Sequence, residues 1–267
     1  MYRSLIDKLR KNTFLEKEEY KLLIENRDKC RDYLFENARQ VRESVYLRKV
    51  FIRGLIEISN YCKNDCLYCG IRRSNGNASR YRLYEDDILS CVRRGYPLGF
   101  RTFVLQGGED AYYTDEVLCR IISAIKNDFP DCAVTLSLGE RSYESYKALK
   151  AAGADRYLLR HETANKAHYC KLHPPQMSFD NRIQCLRNLK ALGYQTGAGF
   201  MVGTPYQTTD DLAAEFSLLK ELWPEMVGIG PFVPHKDTPF ADFAGGSAEL
   251  TLFILCLLYT SPSPRDA

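Results

Sequence analysis

Cys62, Cys66 and Cys69, separated by three and then two residues, are the part of this sequence with the most distinctive chemistry. They read Cys62-Lys-Asn-Asp-Cys66-Leu-Tyr-Cys69-Gly70 and directly follow a β-branched run that predicts a strand. Three thiolates can hold three irons of a 4Fe-4S cubane and leave the fourth iron open, whereas a structural cluster or zinc site normally takes four protein ligands. An open iron can chelate the amino and carboxylate groups of a methionine. The competing reading is a zinc knuckle completed by a distant histidine or cysteine. The other seven cysteines, Cys30, Cys91, Cys119, Cys132, Cys170, Cys185 and Cys256, lie apart in partly apolar settings where cysteine serves as a small hydrophobe. Without a secretion signal, disulfides are not expected.

Further candidates fall just after predicted strands. In Gln106-Gly107-Gly108-Glu109-Asp110 the glycines allow close backbone approach and the carboxylate suits an ammonium group. A Gly-Gly-Glu alone is more often a plain turn, so its place after the second strand is what gives it weight. Thr135 and Ser137 alternate along the third strand and share a face, either lining a site or filling a barrel while bonded to backbone. Arg160 ends the fourth strand, Met201, Val202 and Gly203 follow the fifth, and Gly228-Ile229-Gly230 ends the sixth. Methionine in such a place is as often core filler. His161 and His235 are read as hydrogen-bonded structural histidines, not as metal ligands.

The elements that must position these residues alternate. The first 50 residues are charged and helix-rich, with Leu5, Ile6, Leu9, Leu22 and Leu23 at helical spacing. Strands are predicted at 52–59, 101–106, 132–138, 155–160, 195–201 and 225–231, with helical segments between them and helix-ending glycines at Gly153 and Gly193. Strict alternation implies parallel strands with right-handed crossovers, as an open doubly wound sheet or a (β/α) barrel. In both, ligands bind at the carboxyl edge of the strands.

The cysteine spacing, with Tyr68 as the aromatic before the last cysteine, is the signature of the radical SAM superfamily. Gly107-Gly108-Glu109 resembles the motif its members use to hold the methionine amino group. From Arg53 onward ISNYCKNDCLYCGIRRSN, VLQGGED, GADRYLLRHETAN, FDNR, GYQTGAGFMVGTPYQT and MVGIGPFVPHKDTP together resemble the FeFe-hydrogenase maturase HydE family across 53–240. The resemblance implies a TIM-type (β/α) barrel with six units present and the last two missing, a 4Fe-4S cluster on the three cysteines, and S-adenosylmethionine as cosubstrate. It implies cofactor contacts from Tyr68, Gln106, Gly107, Gly108, Glu109, Ser137, Arg160, Glu162, Arg182, Met201, Gly203 and Ile229, with Thr135 and Arg160 toward the substrate. The substrate implied is a cysteine-bound iron carbonyl cyanide made by a partner maturase, and the enzyme needs an external one-electron donor. Methylornithine synthase and biotin synthase share the barrel and are the competing enzymes; an iron-sulfur carrier is the non-enzymatic alternative.

Composition narrows the classes. In 267 residues the net charge is only +3 and scattered, which argues against nucleic acid as a partner. No signal peptide is read at the start, and no run approaches the roughly 20 apolar residues of a membrane span, so a cytoplasmic location is expected. Three segments are expected: helices over 1–50, the partial barrel over 51–255, and a non-native tail over 256–267. CLLYTSPSPRD resembles one reading frame of a sequencing-library adapter, which would end the natural gene near Leu255. A barrel short of two units exposes apolar strand edges, so this chain is expected to be less stable than a completed one.

Overall fold

The computed structural model describes residues 1–261. Three helices, α1 (Tyr2–Asn12), α2 (Lys17–Glu25) and α3 (Arg31–Tyr46), precede six strands: β1 (Gly54–Ser59), β2 (Thr102–Gly107), β3 (Ala133–Ser137), β4 (Arg156–Leu158), β5 (Gln195–Val202) and β6 (Met226–Pro231). The strands form one sheet in chain order, and every neighbouring pair is parallel. A doubly wound sheet reverses its strand order at a switch point. The unbroken order here is that of a (β/α) barrel, open between β6 and β1.

The crossovers run through α4 (Glu85–Gly95), α5 (Asp115–Asp128), α6 (Tyr143–Ala151), α8 (Phe179–Ala191) and α9 (Thr209–Leu222), with a short α7 (Lys166–Leu172) ahead of α8. Each helix forms because its apolar residues recur on one face. In α5, Leu118, Ile121, Ile122 and Ile125 are buried, and Thr114 caps the first turn by accepting from the Val117 amide. Burial of each such side chain contributes roughly 1.5–3 kcal/mol.

Strand alternation sorts the residues. Ile56, Ile58, Phe103, Leu105, Val134, Leu136, Tyr157, Ala198, Phe200 and Val202 turn outward into the core beneath the helices. The intervening positions face the barrel interior, in registered rows Leu55–Val104–Thr135–Arg156 and Glu57–Gln106–Ser137. In β5 and β6 the interior positions include glycines, and a Cβ on Gly199 would lie 2.0 Å from the Gly228 carbonyl oxygen. Those two strands therefore leave the interior open.

The N-terminal helices share this core: Tyr20 of α2 stacks on Phe216 of α9 with ring centroids 3.9 Å apart. A last helix, α10 (Ala248–Thr260), runs without a break past Leu255 and buries Phe253, Ile254, Leu257 and Leu258. Its apolar run is enough to form a helix, whatever the origin of its last residues. The Pro-bearing remainder of the tail lies outside the described residues. Among those described, no helix is long and apolar enough to cross a membrane.

Two elements differ from the expectation. β4 is three residues long, not six, because the chain kinks at Glu162, whose φ is 67°. The ladder ends with the Leu159 amide donating to Gly197 at 2.9 Å and resumes beyond a bulge, where the Glu162 amide donates to Gly199 at 3.0 Å. The second is α7, which starts where Asn165 accepts from the Ala167 and His168 amides.

Candidate active site

The cysteines sit on the long connection from β1 to α4. It holds itself in place by side-chain bonds to its own backbone. Arg80 donates to the carbonyls of Asn60, Ile71, Arg72 and Asn75. Asp65 accepts from Arg72 at 2.6 Å and from the Ser74 hydroxyl at 2.6 Å and amide at 3.1 Å. Two main-chain bonds dock the loop on the barrel, from Lys63 to the Glu109 carbonyl at 3.0 Å and from Leu67 to the Leu172 carbonyl at 2.9 Å.

Cys62, Cys66 and Cys69 are half-buried free thiols. Burial, with the neighbouring Cys69 and Cys62, pushes the Cys66 thiol up to about 12, and burial also raises Cys69. Binding as thiolates therefore needs a metal's charge to offset that penalty. Among the described residues no three His, Cys, Asp or Glu side chains gather as ligands of a single ion. Thiolates bound to different irons of a cubane need not converge on one point.

Gly108 stands against this loop: a Cβ there would lie 2.2 Å from the Tyr61 carbonyl oxygen and 2.7 Å from the Cys62 Cβ. A glycine here is required by packing against the cysteine loop. The Glu109 carboxylate turns aside, taking Lys63 at 2.9 Å and the Glu140 amide at 3.1 Å, and presses on Gly139.

Tyr68 lies beneath the cysteines with Leu67, Leu172, Met201, Phe232 and Phe240 in a small apolar cluster. Its hydroxyl is 3.1 Å from His173 Nε2, and His173 Nδ1 is 3.0 Å from the Tyr169 carbonyl. A carbonyl only accepts, so Nδ1 carries the proton and Nε2 accepts from Tyr68. Burial drives His173 down to about 3 and keeps it neutral.

Around the barrel mouth, Glu162 and Arg182 are close enough to Cys66 and Tyr68 to act on their ionisation. Arg182 is buried, donating from Nε to Glu140 at 2.6 Å and from Nη1 to the Arg160 carbonyl at 2.6 Å. Burial lowers its pKa, but Tyr169 and Glu140 outweigh that and hold it above the ordinary value. Arg160 Nη2 is 3.2 Å from Glu162 Oε2, yet without hydrogen-bond alignment. Both atoms, with Arg160 Nε and Thr135 Oγ1, are buried and unbonded. Native interiors rarely leave buried polar atoms without hydrogen bonds, so this ion pair has bonding capacity to offer a polar ligand.

Gln106 and Ser137 are paired in register on the inner face of β2 and β3. Gly203 follows β5 at φ 77°, with a would-be Cβ 2.5 Å from the Gly246 Cα. Ile229 is the exception. It pairs with Phe200 and packs outward on the main core, so alternation leaves only its main chain toward the interior. His161 is buried and bonded to Glu215 at 2.7 Å, and half-exposed His235 accepts from the Asp237 amide at 3.2 Å. Sequence reading did not single out Met177, 3.6 Å from Cys66, or Tyr169, whose buried hydroxyl has no partner. Both lie far from the cysteines in sequence, and only the fold brings them near.

A family model described as the radical SAM superfamily matches residues 56–219. The fold and this match define a radical SAM enzyme. The [FeFe] hydrogenase maturase subunit HydE of Thermotoga maritima is 47% identical over 255 residues, covering 96% of this chain and 72% of that protein. The chain belongs to the HydE family. The 3-methylornithine synthase of Methanosarcina acetivorans is 29% identical over 230 residues, 84% of this chain and 64% of the relative, so the chain spans just under two thirds of that enzyme's length. A crystal structure of methylornithine synthase superposes with a TM-score of 0.87 at 25% identity, over 96% of this chain and 77% of that one.

Proposed function

We propose that the protein is a radical SAM maturase. In this reading Cys62, Cys66 and Cys69 hold a 4Fe-4S cluster with one open iron, as the superfamily implies. When bound, the cluster and S-adenosylmethionine supply a 5′-deoxyadenosyl radical after one-electron reduction by an external donor. The chain's own task is to bind and orient. Tyr68 and Met201 provide the apolar floor, and the main chain at Gln106, Gly107, Gly108 and Gly203 allows close approach. Arg182 and Glu162 hold the charged and hydroxyl groups of the cofactor, with Glu109, Ser137 and the Ile229 main chain around them. Arg160 and Thr135 face the substrate, which we take to be a cysteine-bound iron carbonyl cyanide delivered by a partner maturase in the cytoplasm. A cation suits its anionic cyanides.

The observation carrying this reading is the Arg160–Glu162 ion pair, whose buried Nε, Nη2 and Oε2 atoms make no hydrogen bond, with Glu162 close enough to act on the Cys66 thiol. A bare iron-sulfur carrier has no use for them. The likeness to methylornithine synthase supports a second reading, rearrangement of lysine. Anaerobic reconstitution with iron and sulfide, followed by reductant and S-adenosylmethionine, should release 5′-deoxyadenosine, and Cys66→Ala should abolish it. Adding lysine should yield no methylornithine. Formation of methylornithine overturns the maturase reading; no 5′-deoxyadenosine from a cluster-loaded protein favours the carrier.

A further inference from the structure

Glu162 has a left-handed backbone conformation that residues with a Cβ disfavour, with φ at 67°. Something must hold it there. Arg160 and Glu162 meet at 3.2 Å on one side of the chain, and His161 packs on the other, against α9. His161 is fully buried on the outer side, against Glu215 of α9, itself fully buried.

The hydrogen bonds between them leave little freedom. His161 Nδ1 accepts from the Gly199 amide at 3.3 Å, so the ring proton is on Nε2, which donates to Glu215 Oε2 at 2.7 Å. Glu215 Oε1 accepts from the Ala164 amide at 2.8 Å. One carboxylate thus grips the chain on both sides of Glu162. A carboxamide could not do the same, since its NH2 would face a second donor. Two further ties flank the grip: His168 joins Thr163 to the Pro205 carbonyl, each at 3.0 Å, and Asn165 donates to Asp211 of α9 at 2.6 Å.

We propose that His161 and Glu215 are positioning residues that fix the kink at residue 162 and so aim the Glu162 carboxylate into the barrel mouth, where it meets S-adenosylmethionine. This rests on the reading above that Glu162 contacts the cofactor. Glu215 touches neither cofactor nor cluster; it acts from the far side of the sheet.

The test compares reconstituted wild type with Glu215→Gln, Glu162→Gln, their double variant and Leu219→Ala. Leu219 is a buried core residue on the same helix and controls for loss of stability alone. Three readouts are taken: Tm of the apo-protein, the dissociation constant for S-adenosylmethionine, and the change it induces in the electron paramagnetic resonance of the reduced cluster. Glu215→Gln should weaken cofactor binding about tenfold and blunt the spectral change as Glu162→Gln does, with the double variant little worse than either single one. Leu219→Ala should lower Tm and leave binding unchanged. Should Glu215→Gln fail to fold, His161→Asn, which keeps an acceptor for Gly199 and loses the Glu215 bond, takes its place with the same expectation. If Glu162→Gln weakens binding and Glu215→Gln, like Leu219→Ala, only lowers Tm, the positioning role is wrong. If Glu162→Gln leaves binding unchanged, the cofactor contact itself is wrong, and the proposal falls with it.

Discussion

The two regions that meet at the barrel mouth are held in opposite ways. The cysteine connection has almost no regular secondary structure, yet it is clamped from within: Arg80, Asp65 and Asn60 all bond partners inside the same connection. The tip of β4 is only a few residues long and is held from outside, by Gly199, Asp211 and Glu215, which are 38 to 54 residues away in sequence. A self-clamped loop can take its shape before the barrel closes, and its motif can be read as a local string. A strand tip held by a remote helix takes its shape only when that helix has docked. In the proposed function, ligand supply and cofactor orientation thus fall to parts with different sources of order.

The contrast can be broken most forcefully at Asp110, where the connection is pinned back to the sheet. Asp110 takes Arg82 in a two-pronged bond at 2.7 and 2.8 Å, the Ser59 hydroxyl at 2.6 Å and the Tyr112 amide at 3.0 Å. Arg82 also lies 4.5 and 4.9 Å from the ring centroids of Tyr61 and Tyr112. Burial pushes the Asp110 carboxyl up, but the bonds from Arg82, Ser59 and Tyr112 outweigh it and hold the pKa below the ordinary value. Stability from a depressed carboxylate is fully present above its unfolded pKa, about 3.9, and is lost as pH falls through the lower folded value. Asp110→Asn should therefore cost about 3 kcal/mol at neutral pH, by removing the charge opposite Arg82 and one of its two acceptors. It should also flatten the acid limb of a Tm-against-pH curve. An acid limb as steep as in wild type would mean that the loop is anchored elsewhere.

Arg80 comes next. Four carbonyls converge on one guanidinium, which an ammonium cannot span. Arg80→Lys should destabilise by about 2 kcal/mol. The bound cluster should also be lost faster, followed by decay of its visible absorbance under a chelator. Unchanged decay would show that the cysteines are held by docking on Glu109 and Leu172 alone.

The same contrast explains what could be read from the sequence. Parallel alternation, the strand positions and the cysteine loop were legible because periodicity and a three-then-two spacing are local signals. The open barrel, in place of a doubly wound sheet, followed from the resemblance and is seen directly in the unreversed strand order. Less legible was why particular residues are needed. Gly108 reads as a place for close backbone approach, but the close neighbours of its would-be Cβ are Tyr61 and Cys62 of the cysteine loop. Ile229 sits in a Gly-Ile-Gly segment pointed at by motif, yet strand parity turns its side chain outward. His161 reads correctly as a bonded structural histidine, but its partner on α9 has no signature of its own. The sequence pattern extends β4 too far because the positive φ at Glu162, a non-glycine residue, leaves no mark in composition.

The smallest expected effect separates the two kinds of support within one side chain. Asn165 caps α7 locally, its Oδ1 accepting from the amides of Ala167 and His168, and ties the β4 tip remotely, its Nδ2 donating to Asp211. Asn165→Ala removes both. Asn165→Ser keeps a capping oxygen but cannot reach as a donor across to α9. The cap is worth about 1 kcal/mol and the tie about 1 kcal/mol, so alanine should lower stability roughly twice as far as serine. Denaturant midpoints measure the difference. If serine costs as much as alanine, nearly all of the stabilisation comes from the remote tie, and the β4 tip is held from outside more completely than the hydrogen-bond pattern suggests. If serine matches wild type, the local cap suffices and the contrast with the cysteine loop is weaker. Because Glu215 still grips both flanks of Glu162 in either variant, neither substitution should change affinity for S-adenosylmethionine by more than about twofold, a difference of under 1 kcal/mol.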